Sequence, residues 1–227
     1  MKRETLAAIV RARAEGRAVA LVTQLGDGAQ ALVGRGDPVD DPAVRDAVAR
    51  AFATDDALSI DGPGGRTFVQ AYNPPLRLVV VGAVHIAESL AAIARIAGYD
   101  VTIVDPREAF ARRERFAGWK VVGSWPDEAL AALRPDHRTA VVTLTHDPKL
   151  DDPALEAALR SDAFYVGSLG SAKTHAARAR RLAERGFGGP ELARIHGPVG
   201  LRIGARSPAE IAIAILAQMT ATLRGAA

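Results

Sequence analysis

RLVVVGAVHIAESLAAIARIAGYDVTIVDPR, residues Arg77 to Arg107, is written as strand, glycine turn, helix and strand in succession. Leu78 to Val81 is a short apolar run rich in β-branched residues, the composition of a strand covered on both faces in a parallel sheet. Gly82 stands where the backbone must turn into a helix. In that helix Ile86, Leu90, Ile93 and Ile96/Ala97 recur at steps of three and four and predict one apolar stripe. Gly98 falls where a helix end favours a left-handed residue, Tyr99 to Val104 is a second strand, and Asp105 follows at its carboxyl end. This is the first βαβ unit of a doubly wound sheet, with an acidic residue about where a ribose hydroxyl needs an acceptor. The glycine fingerprint is incomplete, however: against G-x-G-x-x-G/A the chain has Gly82, Val84 and Ala87. A branched side chain in the middle position crowds a pyrophosphate, so the pattern speaks for the fold more than for a dinucleotide. Ala83 and His85 complete a turn whose helix N-terminus favours an anion.

The composition narrows the function classes. The chain has 227 residues, with 29 Lys and Arg against 26 Asp and Glu for a net charge of +3. These charges are interspersed, so a sequence pI of ≈ 9.6 does not point to nucleic acid. Only 5% of residues are aromatic, and no basic run carries stacking rings. The absence of cysteine excludes disulfides, thiolate metal sites and a cysteine nucleophile, and suits a reducing compartment. No apolar run approaches the ~20 residues that span a bilayer, and the N-terminus carries no signal-peptide core. No membrane partner and a cytoplasmic location are expected.

Taken in order, Glu4–Ala14 reads as a helix, and Arg17–Thr23 and Gln30–Val33 as strands about the Gly26-Asp27-Gly28 turn. Asp40–Phe52 is a helix with Asp40 or Asp41 as cap and Pro42 in its first turn. Ala57–Ile60 and Thr67–Ala71 are placed to pair across the Asp61–Gly65 turn. Asn73-Pro74-Pro75 then punctuates the chain. Two domains are expected: a small α+β unit over residues 1–73 and a Rossmann-like, doubly wound parallel sheet over 76–227. In the second, Ala109–Phe116 connects to a strand at Lys120–Val122, followed by a helix at Pro126–Leu133 and a β-branched strand at Thr139–Thr145. A helix over Pro153–Leu159 is expected to be capped by Asp151 or Asp152. A strand at Ala163–Val166 and a basic helix over Ala172–Arg185 follow. Pro190–Ile195 reads as helical, and Ser207-Pro208-Ala209-Glu210 is a capping box that starts the last helix. The simplest order of the parallel strands is 3-2-1-4-5.

Such a sheet binds ligands at the carboxyl ends of its strands, beside the point where the strand order reverses. Four strand ends meet there: Gly82 and His85; Asp105 and Arg107; Thr145, His146 and Asp147; and Gly167, Ser168, Gly170 and Ser171. His85 and His146 flank one crevice in this arrangement, where they suit acid–base work or a metal. The plainer readings are a helix cap or solvent contact for His85 and a turn in which Asp147 bonds backbone. No clustered set with zinc-like spacing accompanies them, so no metal is expected. Gly167 to Thr174 is not a P-loop, because Lys173 is displaced from the second glycine, Gly170. It still presents small residues and amides at a helix N-terminus. The basic residues beyond, Arg178, Arg180, Arg181 and Arg185, read as a solvated helix face. Gly197 to Ala205, with three glycines, is a loop held close to a ligand or to the sheet.

GAVHIAESLA, VTIVDPR, TAVVTLTHDPKLDDPAL, FYVGSLGSAKTHAAR and RIHGPVGLRIGARSPAEIAIAILA, in that order from about Leu78 to Leu216, resemble the XdhC/CoxI family of accessory factors for xanthine dehydrogenase and related molybdenum hydroxylases. The resemblance implies a dimer that binds molybdenum cofactor (molybdopterin, with or without an appended nucleotide). It also implies protection of the cofactor while it receives its terminal sulfur, with a cysteine desulfurase as a further partner, and delivery to the apo molybdenum hydroxylase. The strand-end reading is compatible with this and places cofactor binding at Gly82, Ala83, Val84, His85, Asp105, Arg107, Thr145, His146, Asp147, Gly167, Ser168, Gly170 and Ser171, where holding the ligand needs no catalytic residue. Two departures stand out. The family's N-terminal module often carries a serine-glycine-glycine-cysteine-valine-glutamate stretch, and this chain has no cysteine, so that task is missing or falls to a separate partner. Arg202 stands where the family commonly has an acidic residue, so no role transfers to it. The alternatives are an NAD(P)-dependent oxidoreductase, against which Val84 speaks, and a nucleotide-sensing regulatory module.

Overall fold

The computed structural model describes residues 2–62, 64–107 and 114–226, and the chain divides into two compact units, one ending at Pro74 and one beginning at Pro75. Most of the expected connection at Ala109–Phe116 lies outside the described residues; Glu114–Phe116 forms a single 3-10 turn.

In the first unit, helix α1 (Arg3–Ala14) and strands β1 (Val19–Gln24) and β2 (Gln30–Gly34) precede helix α2 (Pro42–Thr54) and the pair β3 (Leu58–Gly62) and β4 (Gly65–Tyr72). The four strands form an antiparallel sheet in the order β2-β1-β4-β3. Strand β1 is apolar and buried from Val19 to Val22 because both of its faces are covered. Val19 and Leu21 pack with Ile9 and Ala12 of α1, and Ala20 and Val22 pack with Ala47, Val48, Ala51 and Phe52 of α2. Asp41 accepts N–H bonds from Ala43 and Val44 and starts α2 with Pro42 in its first turn.

The second unit is α/β, with a Rossmann-like, six-stranded parallel sheet. Its elements are β5 (Leu76–Val81), α3 (His85–Ile96), β6 (Tyr99–Val104), β7 (Lys120–Val122), α4 (Pro126–Leu133), β8 (Thr139–Thr143), α5 (Pro148–Leu159), β9 (Tyr165–Ser168), α6 (Ala172–Glu184), the short α7 (Gly189–Leu192), β10 (Ile195–His196) and α8 (Pro208–Leu223). The strand order is β10-β9-β8-β5-β6-β7. The expected order holds, with a sixth strand added where Pro190–Ile195 reads as helical. Only Gly189–Leu192 is helix there, and Ile195 instead pairs in parallel with Val166.

Alternation along β5 divides the core. Leu78 and Val80 join Leu90, Ile215 and Met219 beneath α3 and α8, while Val79 and Val81 join Leu130, Leu155 and Leu159 beneath α4 and α5. Full burial of each such side chain stabilises the fold by about 1.5–3 kcal/mol. The buried face of α3 is Ala87, Leu90, Ala91 and Ala94, whose small residues admit α8 alongside. The expected stripe is thus rotated: Ile86 and Ile93 flank it, and Ile96 is 86% exposed. Helix α5 also starts earlier than its sequence indicates. Asp147 caps it, and Asp151 and Asp152 are interior and buried rather than capping. Among the described residues no helix is long and apolar enough to cross a membrane.

Candidate functional site

The carboxyl edge of the sheet carries the expected strand-end residues, but its turns are built very differently. At the β5–α3 turn, Gly82 has φ +110°, and a Cβ there would meet Thr145 Cγ2 at 2.6 Å. The glycine is therefore required by the fold itself. Ala83 N–H donates to Asp105 Oδ2 at 2.8 Å, and Val84 N–H turns back to the Gly82 carbonyl at 3.0 Å. Arg107 encloses the same carboxylate: its backbone N–H and Nε donate to Oδ1 at 3.0 and 2.9 Å, and its Nη2 to Oδ2 at 2.8 Å. Burial pushes the Asp105 pKa up, but the Arg107 and Ala83 hydrogen bonds prevail and hold it below the usual carboxylate range. Both oxygens of the residue expected to receive a ribose thus already accept bonds from the protein. The protein's own carboxylate occupies an amide that a Rossmann turn ordinarily offers to phosphate.

At the β8–α5 turn, Thr145 Oγ1 donates to Asp151 Oδ1 at 2.6 Å and accepts from Asp147 N–H at 3.1 Å. Asp147 Oδ1 accepts from Lys149 N–H at 3.0 Å, the backbone-bonded turn that is the plainer reading of this aspartate. His146, at φ +65°, and His85 are exposed. β5 and β8 are paired neighbours, with Val81 opposite Thr143, so the two histidine-bearing loops are adjacent. Neither imidazole makes a hydrogen bond among the described residues.

Behind this turn lies a polar network that the sequence reading missed. Arg178 is not part of a solvated face. It is 2% exposed, donates from Nη2 to the Leu169 carbonyl at 3.0 Å and lies 3.6 Å from Asp151 Oδ2. Its Nε and Nη1, and Asp151 Oδ2, have no hydrogen-bond partner among the described residues. Desolvation prevails on both sides of this pair, raising the Asp151 pKa against the pull of Thr145 and Arg178 and lowering that of Arg178. Arg181 clamps Asp152 through Nε and Nη2 at 2.6 and 2.9 Å, and Arg185 pairs with Glu156. The signal was present in the spacing: acids at 152 and 156 and arginines at 181 and 185 share the same step of one helical turn.

At the β9–α6 turn, Gly167 and Ser168 are buried, and Ser168 and Thr143 share a hydroxyl bond of 2.6 Å. A Cβ on Gly167 would strike Val199 and Tyr165. These two residues build the wall of the edge. Gly170, at φ +142°, is half-buried and Ser171 is exposed, and Ser171 caps α6 by accepting from Thr174 N–H at 3.1 Å. The N–H groups of Gly170, Ser171, Ala172 and Lys173 have no acceptor among the described residues. These are the unsatisfied donors of a helix start, in a position that favours an anion.

The loop from Gly197 to Arg206 leans on this turn. A Cβ on Gly197 would lie 2.1 Å from His175 Nδ1 of α6, and one on Gly200 would lie 3.1–3.2 Å from Ala214 and Ile215 of α8. The loop is pinned by Val199 N–H to the Ser168 carbonyl at 3.1 Å, Gly200 N–H to Gln218 Oε1 at 2.8 Å and Leu201 N–H to the Ala214 carbonyl at 3.1 Å. Tyr165 O–H donates to the same Gln218 Oε1 at 2.6 Å, and its ring stacks on His196 at 4.6 Å. Burial, with the Arg178 charge, lowers the His175 pKa, and burial lowers that of His196. The close approach expected of the glycine loop is thus to the scaffold on one side. Its other side lines a cleft of ≈ 340 Å³ with Leu169 and Ile211.

Residues 78–219 match the XdhC Rossmann domain. The chain is 32% identical over 152 residues to the molybdenum cofactor insertion chaperone PaoD of Escherichia coli K12, covering 67% of this chain and 42% of that protein. It is 30% identical over 156 residues to a probable xanthine dehydrogenase component of Bacillus subtilis 168, covering 68% of this chain and 45% of the relative. It therefore spans less than half the length of these curated relatives. A crystal structure described as a xanthine dehydrogenase from Bacillus halodurans superimposes with a TM-score of 0.73, at 23% identity, over 98% of this chain and 65% of that one, a likeness of fold.

Proposed function

The chain belongs to the XdhC family, whose Rossmann domain its residues 78–219 match, and from that membership we propose that it binds molybdenum cofactor at the carboxyl edge of its parallel sheet. On this reading it shields the cofactor while the terminal sulfur is added, together with a cysteine desulfurase, and passes it to an apo molybdenum hydroxylase of the xanthine dehydrogenase type. A homodimer is the assembly this reading takes. The observation that carries the proposal is the row of free amides at Gly170–Lys173. A pterin cofactor ends in a phosphate, and a helix start with unsatisfied donors supports that group without covalent chemistry. The insertion chaperone PaoD, at 32% identity, supports the nature of the cargo.

The oxidoreductase alternative has less support. Ala83 N–H and Asp105 already satisfy each other at the turn where NAD(P) would place its pyrophosphate and ribose, and Val84 occupies the middle glycine position. The test uses the purified chain, molybdenum cofactor released from a molybdenum enzyme and an apo hydroxylase. Binding of the cofactor, with at least a tenfold gain in recovered hydroxylase activity over cofactor alone, is the expected result. No binding and no gain, with stabilisation by NAD or NADP instead, overturns the proposal.

A further inference from the structure

We propose that the cleft between Leu169 and the Pro198–Ala205 loop holds the flat heterocycle of the cofactor, while the amides of Gly170–Lys173 take its phosphate. This rests on the reading above and divides the ligand between two neighbouring surfaces. Leu169 lines the cleft, and the free amides begin at the next residue. A buried Arg178 fixes the joint between them through the Leu169 carbonyl, at 3.0 Å.

The cleft has the character of a small-molecule site. At ≈ 340 Å³ it falls at the lower end of the ~300–1,000 Å³ range of such sites, and its side walls are apolar: Leu169, Val199, Leu201, Ile203 and Ile211. Leu201 is 41% exposed and Ile203 56%, yet the loop carrying them is pinned at Val199, Gly200 and Leu201, whose N–H groups donate to the Ser168 carbonyl, the Gln218 side chain and the Ala214 carbonyl. It therefore does not fold these side chains away from water. Apolar side chains kept at a surface by a well-bonded loop mark a contact made with something else. A ring system enters where Leu201 and Ile203 cover its faces. Arg202 and Arg206, exposed on the same loop, make the mouth electropositive and favour an anionic ligand.

The test uses the full chain with three probes: molybdenum cofactor released from a molybdenum enzyme, fluorescent 6-carboxypterin, which has no phosphate, and inorganic phosphate. Leu201→Asp and Ile203→Asp alter exposed side chains, and their unchanged melting temperatures serve as the folding control. Each weakens cofactor and pterin binding at least tenfold and leaves the thermal shift by phosphate as it is. Ala172→Pro removes one free amide at a helix position that tolerates proline; it halves the phosphate shift or more and leaves pterin binding unchanged. If the wild-type chain binds cofactor and both aspartate variants bind it equally well, the cleft assignment is overturned and the carrier reading stands. If the wild-type chain binds neither cofactor nor pterin, both fall.

Discussion

Two turns at the same sheet edge, β5–α3 and β9–α6, resolve the same problem in opposite ways. Each carries a glycine at positive φ, Gly82 at +110° and Gly170 at +142°, just before a helix whose first amides lack helical acceptors. At the first, Asp105 supplies an anion from within the protein, and Arg107 neutralises it. At the second, Ser171 satisfies only Thr174, and the amides of Gly170–Lys173 are left for something outside. The comparison teaches that a Rossmann turn is a polar valence, which a side chain can fill as well as a ligand. The turn with the stronger sequence signature is here the one whose leading amide, that of Ala83, is taken by a side chain.

The sharpest way to break this contrast is at the open turn's support. Arg178→Met removes the buried cation that faces Asp151, and urea unfolding is expected to show a loss of roughly 3–5 kcal/mol. Because burial raises the Asp151 pKa, that loss is smallest below the unfolded carboxylate pKa of about 3.9 and grows as pH rises through the folded value. The double variant Asp151→Leu/Arg178→Met recovers most of it, since an apolar pair removes both desolvated charges.

At the first turn, Asp105→Ala orphans the Ala83 amide. It is expected to cost roughly 3 kcal/mol, the lower end of the same range, because Arg107 is already part-exposed and reaches water. This loss, too, shrinks as pH falls, although the pKa shift behind it has the opposite sign. The Asp105 pKa is depressed on folding, so its stabilisation is present above the unfolded pKa and is lost as pH falls through the folded one. Wild type and variant therefore converge in acid denaturation curves. Gly82→Ala costs roughly 2 kcal/mol or more, from left-handed strain and from contact with Thr145, and thermal unfolding measures it. The smallest effect is that of Ala172→Pro, within about 0.5 kcal/mol in stability because proline suits the first helical position. Its consequence is read as a reduced thermal shift in phosphate, which Asp105→Ala does not reproduce.

Much of the scaffold was legible beforehand. Tyr99–Val104, Lys120–Val122 and Pro126–Leu133 lie where periodicity and turn residues put them. The capping box at Ser207 and Glu210 starts α8 as expected. These are local signals, carried by neighbours in the chain. Strand β10 escaped because Ile195–His196 is too short for any period to register. The α5 start escaped because Pro153 reads as a first-turn proline, whereas the helix carries it in its interior.

The candidate site was legible as a place and not as a set of roles. Asp105, His146 and Arg178 illustrate why. An aspartate at a strand end, a histidine after a strand and an arginine on a basic helix have the same sequence appearance whether they meet solvent, ligand or one another. Parallel pairing and the alternation of β5 follow from residue type and spacing alone, because short-range sterics and burial dictate them. That Asp105 takes the Ala83 amide, that Arg178 is buried against Asp151 and that Leu201 and Ile203 stand exposed beside Leu169 depends on partners tens of residues away. Only the packed chain decides which polar groups are satisfied internally and which remain to bind.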